Sequence, residues 1–195
     1  RESELALLES TLALHRRPPL RVELVGAAGI GKTSLAREVW RRAVERGEQA
    51  CWVDFGAVRD VTEALTAVAA GLQVVVGSGR DWAALLDAVE ARLGASLKLS
   101  RPLVILDDAE DGGPALVELL ARCPSLAQAR LVVAARRSIQ TPAALSLALR
   151  GLDVPASIEL LRRRGFEAHP AAPDELARLD AIARQLVGWP LALEL

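Results

Sequence analysis

The stretch Gly26-Ala27-Ala28-Gly29-Ile30-Gly31-Lys32-Thr33 constrains this chain more than any other. It fits the pattern G-x-x-x-x-G-K-[ST], and the chemistry explains each position. A loop that wraps a polyanion with its backbone N–H groups needs glycines, which allow the required dihedrals and close approach. The helix that follows aims its positive dipole end at the bound phosphates. Lys32 can reach the β- and γ-phosphates, and the Thr33 hydroxyl can ligate Mg²⁺. The flanks fit as well. Residues 21–25 read as a short apolar strand running into Gly26. From Lys32 to about Arg46, Leu35, Ala36, Val39, Trp40 and Ala43 fall at helical spacing, with Gly47 as the C-terminal stop. The expected phosphate-holding set is Gly26, Ala28, Gly29, Ile30, Gly31, Lys32, Thr33 and Ser34, and the expected ligand is ATP or ADP with Mg²⁺.

The rest of the chain supplies a fold that can carry such a loop. Residues 50–55, 103–106 and 131–135 read as further strands, and 145–149 as one more. The runs Leu103–Leu106 and Leu131–Ala135 are apolar throughout, the pattern of strands buried on both faces of a parallel sheet. Helical stretches alternate with them. Asp60 with Glu63 has the spacing of a helix start, Asp81 is an N-cap before Trp82, Leu85, Leu86, Val89 and Leu93, and a helix is expected at about 114–122. Strands alternating with helices imply an α/β fold with a parallel sheet flanked by helices. Residues 3–16 read as a helix on Leu5, Leu8 and Leu12, ended by Pro18-Pro19. After Asp153 the strand signals stop, and 155–164 and 174–187 read as amphipathic helices. A boundary near 152 is therefore expected, with a P-loop domain over 1–152 and a small helical subdomain from 153 to 195.

Composition narrows the function classes. The formal net charge is -1, which supplies no general attraction to nucleic acid or a membrane surface. The apolar runs are far shorter than the roughly 20 residues needed to cross a bilayer, and no signal peptide is visible. Two cysteines, Cys51 and Cys123, make no disulfide framework, and a reducing cytoplasm is the expected setting. The chain starts at Arg1 and stops inside an apolar segment, so it reads as a piece of a longer protein. His15 and His169 lack ligand-like spacing and read as surface residues. Arg162-Arg163-Arg164 reads as a solvated helix end, where cations suit the dipole. The tryptophans and phenylalanines, Trp189 among them, read as core.

A second cluster of candidates lies where the strands end. The strand Leu103–Leu106 runs into Asp107 and Asp108. In a parallel sheet the C-terminal strand ends share the edge where ligands bind. Asp107 would face the Mg²⁺, and Asp108 would orient or deprotonate the attacking water. Arg136, after the strand ending at Ala135, would project from the same edge toward the γ-phosphate. Its neighbour Arg137 competes with it for that role.

Taken together these stretches resemble a STAND-class signalling ATPase of the NB-ARC or related bacterial kind. Arg1-Glu2-Ser3-Glu4-Leu5 resembles the family's G-R-E-x-E-L motif without its glycine, Gly26–Thr33 its Walker A motif, and Leu103–Asp108 its hydrophobic Walker B ending in Asp-Asp. Leu131–Arg136 resembles its strand ending in Thr-Thr-Arg, with alanines in place of both threonines. Gly188-Trp189-Pro190-Leu191-Ala192-Leu193 resembles its Gly-Leu-Pro-Leu-Ala motif, with Trp189 as a departure. The resemblance implies that Arg1 lies beside the adenine and that Pro190 packs on the nucleotide. It also implies a switch in which ADP holds a closed monomer, ATP favours an open state that assembles with other copies, and slow hydrolysis resets it. Other domains of the same longer chain would carry input and output, with any nucleic acid bound only through them. Four alternatives compete. A mechanical AAA+-type ATPase usually carries Asp-Glu where Asp107-Asp108 stand. A GTPase would need an Asn-Lys-x-Asp motif, which the chain lacks. A nucleotide-binding scaffold without turnover shares all the binding residues. Direct DNA binding by residues 155–195 has no basic stripe to support it.

Overall fold

The computed structural model describes residues 1–13, 20–74, 81–163 and 173–194, the last segment with side chains from 177 onward. Five parallel strands form one sheet in the order β2-β3-β4-β1-β5. They are β1 (Leu20–Val25), β2 (Ala50–Asp54), β3 (Leu103–Asp107), β4 (Arg130–Ala135) and β5 (Leu145–Ala148). Because every pair is parallel, all C-terminal strand ends lie on one edge. The expected P-loop fold, a parallel sheet flanked by helices and followed by a small helical part, is what the chain adopts.

Alternation along the strands splits the core into two layers. Leu20, Val22, Leu24, Leu103, Ile105, Val132 and Ala134 face α1 (Glu2–Thr11) and α2 (Lys32–Glu45). Val53, Val104, Leu106, Leu131 and Val133 face the other way, toward α3 (Val61–Gly71), α4 (Trp82–Leu97), α5 (Gly113–Arg122) and the short α6 (Pro124–Gln128), which the sequence reading did not anticipate. The helix ends are chemically specified. Asp60 Oδ1 accepts from the N–H groups of Thr62 and Glu63 at 2.8 and 2.9 Å, and Asp81 Oδ1 accepts from Ala83 N at 3.0 Å. Gly47 closes α2 at φ 72°, with Glu48 N donating to Ala43 O and Gly47 N to Val44 O, both at 2.9 Å.

One expectation needs correction. The first helix runs Glu2–Thr11 and not to 16, since Leu12 already leaves helical geometry as its C-cap. Residues 14–19, with His15 and the proline pair, lie outside the described residues, as do His169 and Arg164. The strand at 145–149 lies at the sheet edge with Leu145 exposed. It runs Leu145–Ala148, as expected to within one residue, and among the described residues pairs with β1 alone.

Strand β1 carries two charges inside a buried strand, Arg21 and Glu23. The topology explains them. To reach β5 from β4, residues 136–144 must cross β1, and they do so without a helix. Backbone crossing an apolar face needs hydrogen-bond partners there. Glu23 accepts from Ser138 Oγ and from Thr141 N, both at 2.6 Å, and Arg21 donates to Pro142 O at 2.7 Å and to Ala127 O at 2.9 Å.

Beyond Ala148 the regular elements among the described residues are helices: α7 (Val154–Arg163), α8 (Pro173–Gln185) and α9 (Pro190–Glu194). Leu161, Leu179 and Leu193 make their small core, with Leu152, Ile158 and Ile182 packed on it.

Candidate nucleotide site

The loop between β1 and α2 has the backbone that its glycines allow. Gly29 sits at φ 74° and Gly31, the N-cap of α2, at φ 100°. An L-residue at either position would be strained. Ile30 is buried beneath the loop in the α1–α2 layer and anchors it, while Ala27 and Ala28 are exposed. Gly26 N donates to Ala135 O at 3.3 Å, tying the loop's first residue to the end of β4. The first turn of α2 carries no acidic residue of its own, and its positive dipole end favours an anion in the loop. Lys32 Nζ donates to Gly26 O at 2.9 Å and Ala27 O at 3.1 Å, which lays its ammonium across the loop. Ser34 lies exposed on the same turn.

Thr33 Oγ1 donates to Asp107 Oδ1 at 3.0 Å, so the first turn of α2 meets the end of β3. Burial raises the Asp107 carboxyl above its ordinary range, against the lowering hydrogen bond from Thr33. Asp108 follows with φ 60°, an uncommon backbone for a non-glycine residue, which turns the chain off the sheet edge. The site brings a third carboxylate that the sequence reading missed. Glu110 is held above its ordinary range, first by burial, then by its hydrogen bond and charge contact with Asp108, while Lys32 acts in the opposite direction. Glu110 also pairs with Arg136, its Oε1 lying 3.3 Å from Arg136 Nε. Arg136 stands on the expected edge, at the end of the strand between β1 and β3, and is exposed. Glu110 lacked any spacing signal because its place depends on the turn at Asp108.

The remaining two candidates touch the loop from outside the sheet. Arg1 Nη2 donates to Ile30 O at 2.7 Å and to Arg150 O at 2.6 Å, while Nη1 pairs with Glu4 at 2.9 Å. Helix α9 approaches from the C-terminal part: Leu191 N donates to Gly29 O at 3.2 Å, and a Cβ on Gly31 would lie 3.9 Å from Pro190 Cγ. Trp189, read as core, is 38% exposed and lies over Gly29 instead, 3.1 Å from where its Cβ would be. Its neighbour Gly188, at φ 64°, turns the chain there.

Residues 18–141, well over half of the chain, match the model of a family described as AAA domain. The chain belongs to that family. No curated protein matches its sequence. Among solved structures, this AAA domain is similar to a Signal Transduction ATPase with Numerous Domains (STAND) protein with a tetratricopeptide repeat sensor from Pyrococcus horikoshii. There the TM-score is 0.64 at 19% identity, over 99% of this chain and 28% of that one. It is also similar to Cdc6p from Pyrobaculum aerophilum, with TM-score 0.70 at 18% identity over 99% of this chain and 59% of that one. AMPPCP-bound DnaA from Aquifex aeolicus matches at TM-score 0.53 and 14% identity over 95% and 61%. At such identities the likeness is one of fold, and this chain spans less than two thirds of each. The family is one of P-loop ATPases, so a nucleotide with Mg²⁺ is its implied ligand. The donors on the AAA domain's edge fit that ion: one hydroxyl and one carboxylate leave room for phosphate oxygens and waters, as Mg²⁺ prefers. Among the described residues no group of three or more His, Cys, Asp or Glu is arranged to hold a metal, and no helix is long and apolar enough to cross a membrane.

Proposed function

We propose that this AAA domain is an ATP/ADP-binding switch of the STAND, NB-ARC-like kind, with slow Mg²⁺-dependent hydrolysis. One observation carries the switch reading: α9 and Arg1 both rest on the phosphate loop. A group bound in the loop therefore lies within reach of the helical part, and the helical part can respond to it. In this reading residues 1–152 form the nucleotide unit and 153–195 the helical subdomain. Backbone from Gly26, Ala28, Gly29, Ile30 and Gly31 holds the phosphates, with Lys32 on the β- and γ-oxygens and Ser34 beside them. Thr33 and Asp107 hold Mg²⁺, which would screen phosphate charge during transfer. Asp108 orients the water, and Arg136 meets the γ-phosphate. Arg1 and Pro190 flank the rest of the nucleotide. A switch also requires that the γ-phosphate favour one arrangement of the two units over the other. The ATP-bound form then assembles with further copies.

The AAA family membership favours a second reading, a mechanical ATPase of that family. Turnover separates the two. Steady-state hydrolysis well below one per minute, with ADP retained after purification and ATP-dependent assembly seen by light scattering, supports the switch. Rapid turnover by the monomer contradicts it.

A further inference from the structure

Arg136 is held from two directions. Its backbone precedes the segment that buried Glu23 grips through Ser138 and Thr141. Its side chain, 62% exposed, pairs with Glu110, which is only 20% exposed. The Glu110 carboxylate also meets Asp108 and lies in the field of Lys32. It thus stands among the three side chains to which the proposed function assigns the γ-phosphate and its attacking water. A γ-phosphate carries the sign of Glu110 and seeks the same guanidinium. ADP has no γ-phosphoryl group and so brings no γ-oxygens to compete for that guanidinium.

We propose that Glu110 is a positioning residue for Arg136, and that the γ-phosphate must compete with it for the guanidinium. Glu110 thereby sets how strongly the domain prefers ATP over ADP. The proposal rests on the functional reading above. An ordinary surface ion pair contributes little and would leave nucleotide preference untouched. A competing pair lowers ATP affinity alone.

The test is a double-mutant cycle on the ratio of Mg-ATP to Mg-ADP affinity, by calorimetric titration of the whole chain. The four proteins are the parent, Glu110→Gln, Arg136→Ala and the double variant. Glu110→Gln keeps the side-chain shape and is expected to raise the ratio roughly threefold to fivefold, the range of a modest ion pair. In the Arg136→Ala background the same change is expected to leave the ratio where it was. A ratio that is unchanged or lowered by Glu110→Gln overturns the proposal. So does a rise that persists undiminished without Arg136, since the effect would then be direct repulsion of phosphate. If Glu110→Gln does not fold, Glu110→Asp withdraws the charge by one methylene and is read in the same cycle with the same expected direction. A parent chain that binds neither nucleotide overturns the functional reading itself.

Discussion

Thr33 and Asp107 meet at 3.0 Å, hydroxyl to carboxylate, although one begins α2 and the other ends β3. The contact fixes the phosphate loop against the strand that carries the acidic pair. Replacing Thr33 with Val removes the donor and leaves a half-buried carboxylate with one partner fewer. We expect a loss of about 1 kcal/mol in stability. Mg-nucleotide affinity should fall far more than affinity for nucleotide in the presence of a chelator. Denaturant melts and paired titrations check both. An equal fall with and without Mg²⁺ would remove Thr33 from the metal site.

Asp107 gives a prediction with the opposite sign for stability. Burial raises its carboxyl pKa in the fold. The unfolded chain therefore gives up this proton first. The group favours the fold below the ordinary carboxylate range, and that contribution is lost as pH rises through the raised value. At neutral pH the ionised Asp107 works against the unliganded fold, so Asp107→Asn should raise its Tm while weakening Mg-dependent binding. Thermal melts from acid to neutral pH should also show a flatter pH dependence in the variant. A lower Tm at neutral pH contradicts this.

Gly29→Ala tests the contact between loop and helical part. The new Cβ would lie 2.7 Å from Leu191 Cβ, on a backbone at φ 74°. The strain of the left-handed backbone alone costs roughly 1–2 kcal/mol, and the clash must push α9 off the loop. We expect a lower Tm together with greater solvent access to Trp189, read by fluorescence quenching. Unchanged quenching would mean that α9 does not rest on Gly29 in solution.

Glu23→Ala strips the grip on residues 138–141. Ser138 and the Thr141 amide lose a shared buried side-chain acceptor. The expected cost is on the order of 3 kcal/mol, against about 1 kcal/mol for Ser138→Ala. Chemical denaturation of both variants measures the difference.

Much of this arrangement was written in local sequence. The strand–loop–helix around Gly26–Thr33, the apolar runs of β3 and β4, and the caps at Asp60 and Asp81 each depend on neighbours a few residues apart. Their physics is short-range, so the pattern shows it. Arg21 and Glu23 were different. In sequence they only dilute an apolar strand, and their purpose emerges when residues 136–144 cross β1. Glu110 was hidden for the same reason, since the left-handed turn at Asp108 brings it back toward Lys32 and Arg136. Trp189 misled because an aromatic in an apolar stretch reads as core, whereas the chain turns at Gly188 and sets the ring over the loop.

The central claim is that the loop from Gly26 to Thr33 holds the phosphates of an adenine nucleotide. Titrating Mg-ADP and Mg-ATP into the parent chain and into Lys32→Ala, with circular dichroism to show that both are folded, tests it most directly. The account predicts one saturable site in the parent and at least a tenfold loss of affinity in Lys32→Ala, about 1.4 kcal/mol or more. Equal affinity in the two folded proteins would contradict it.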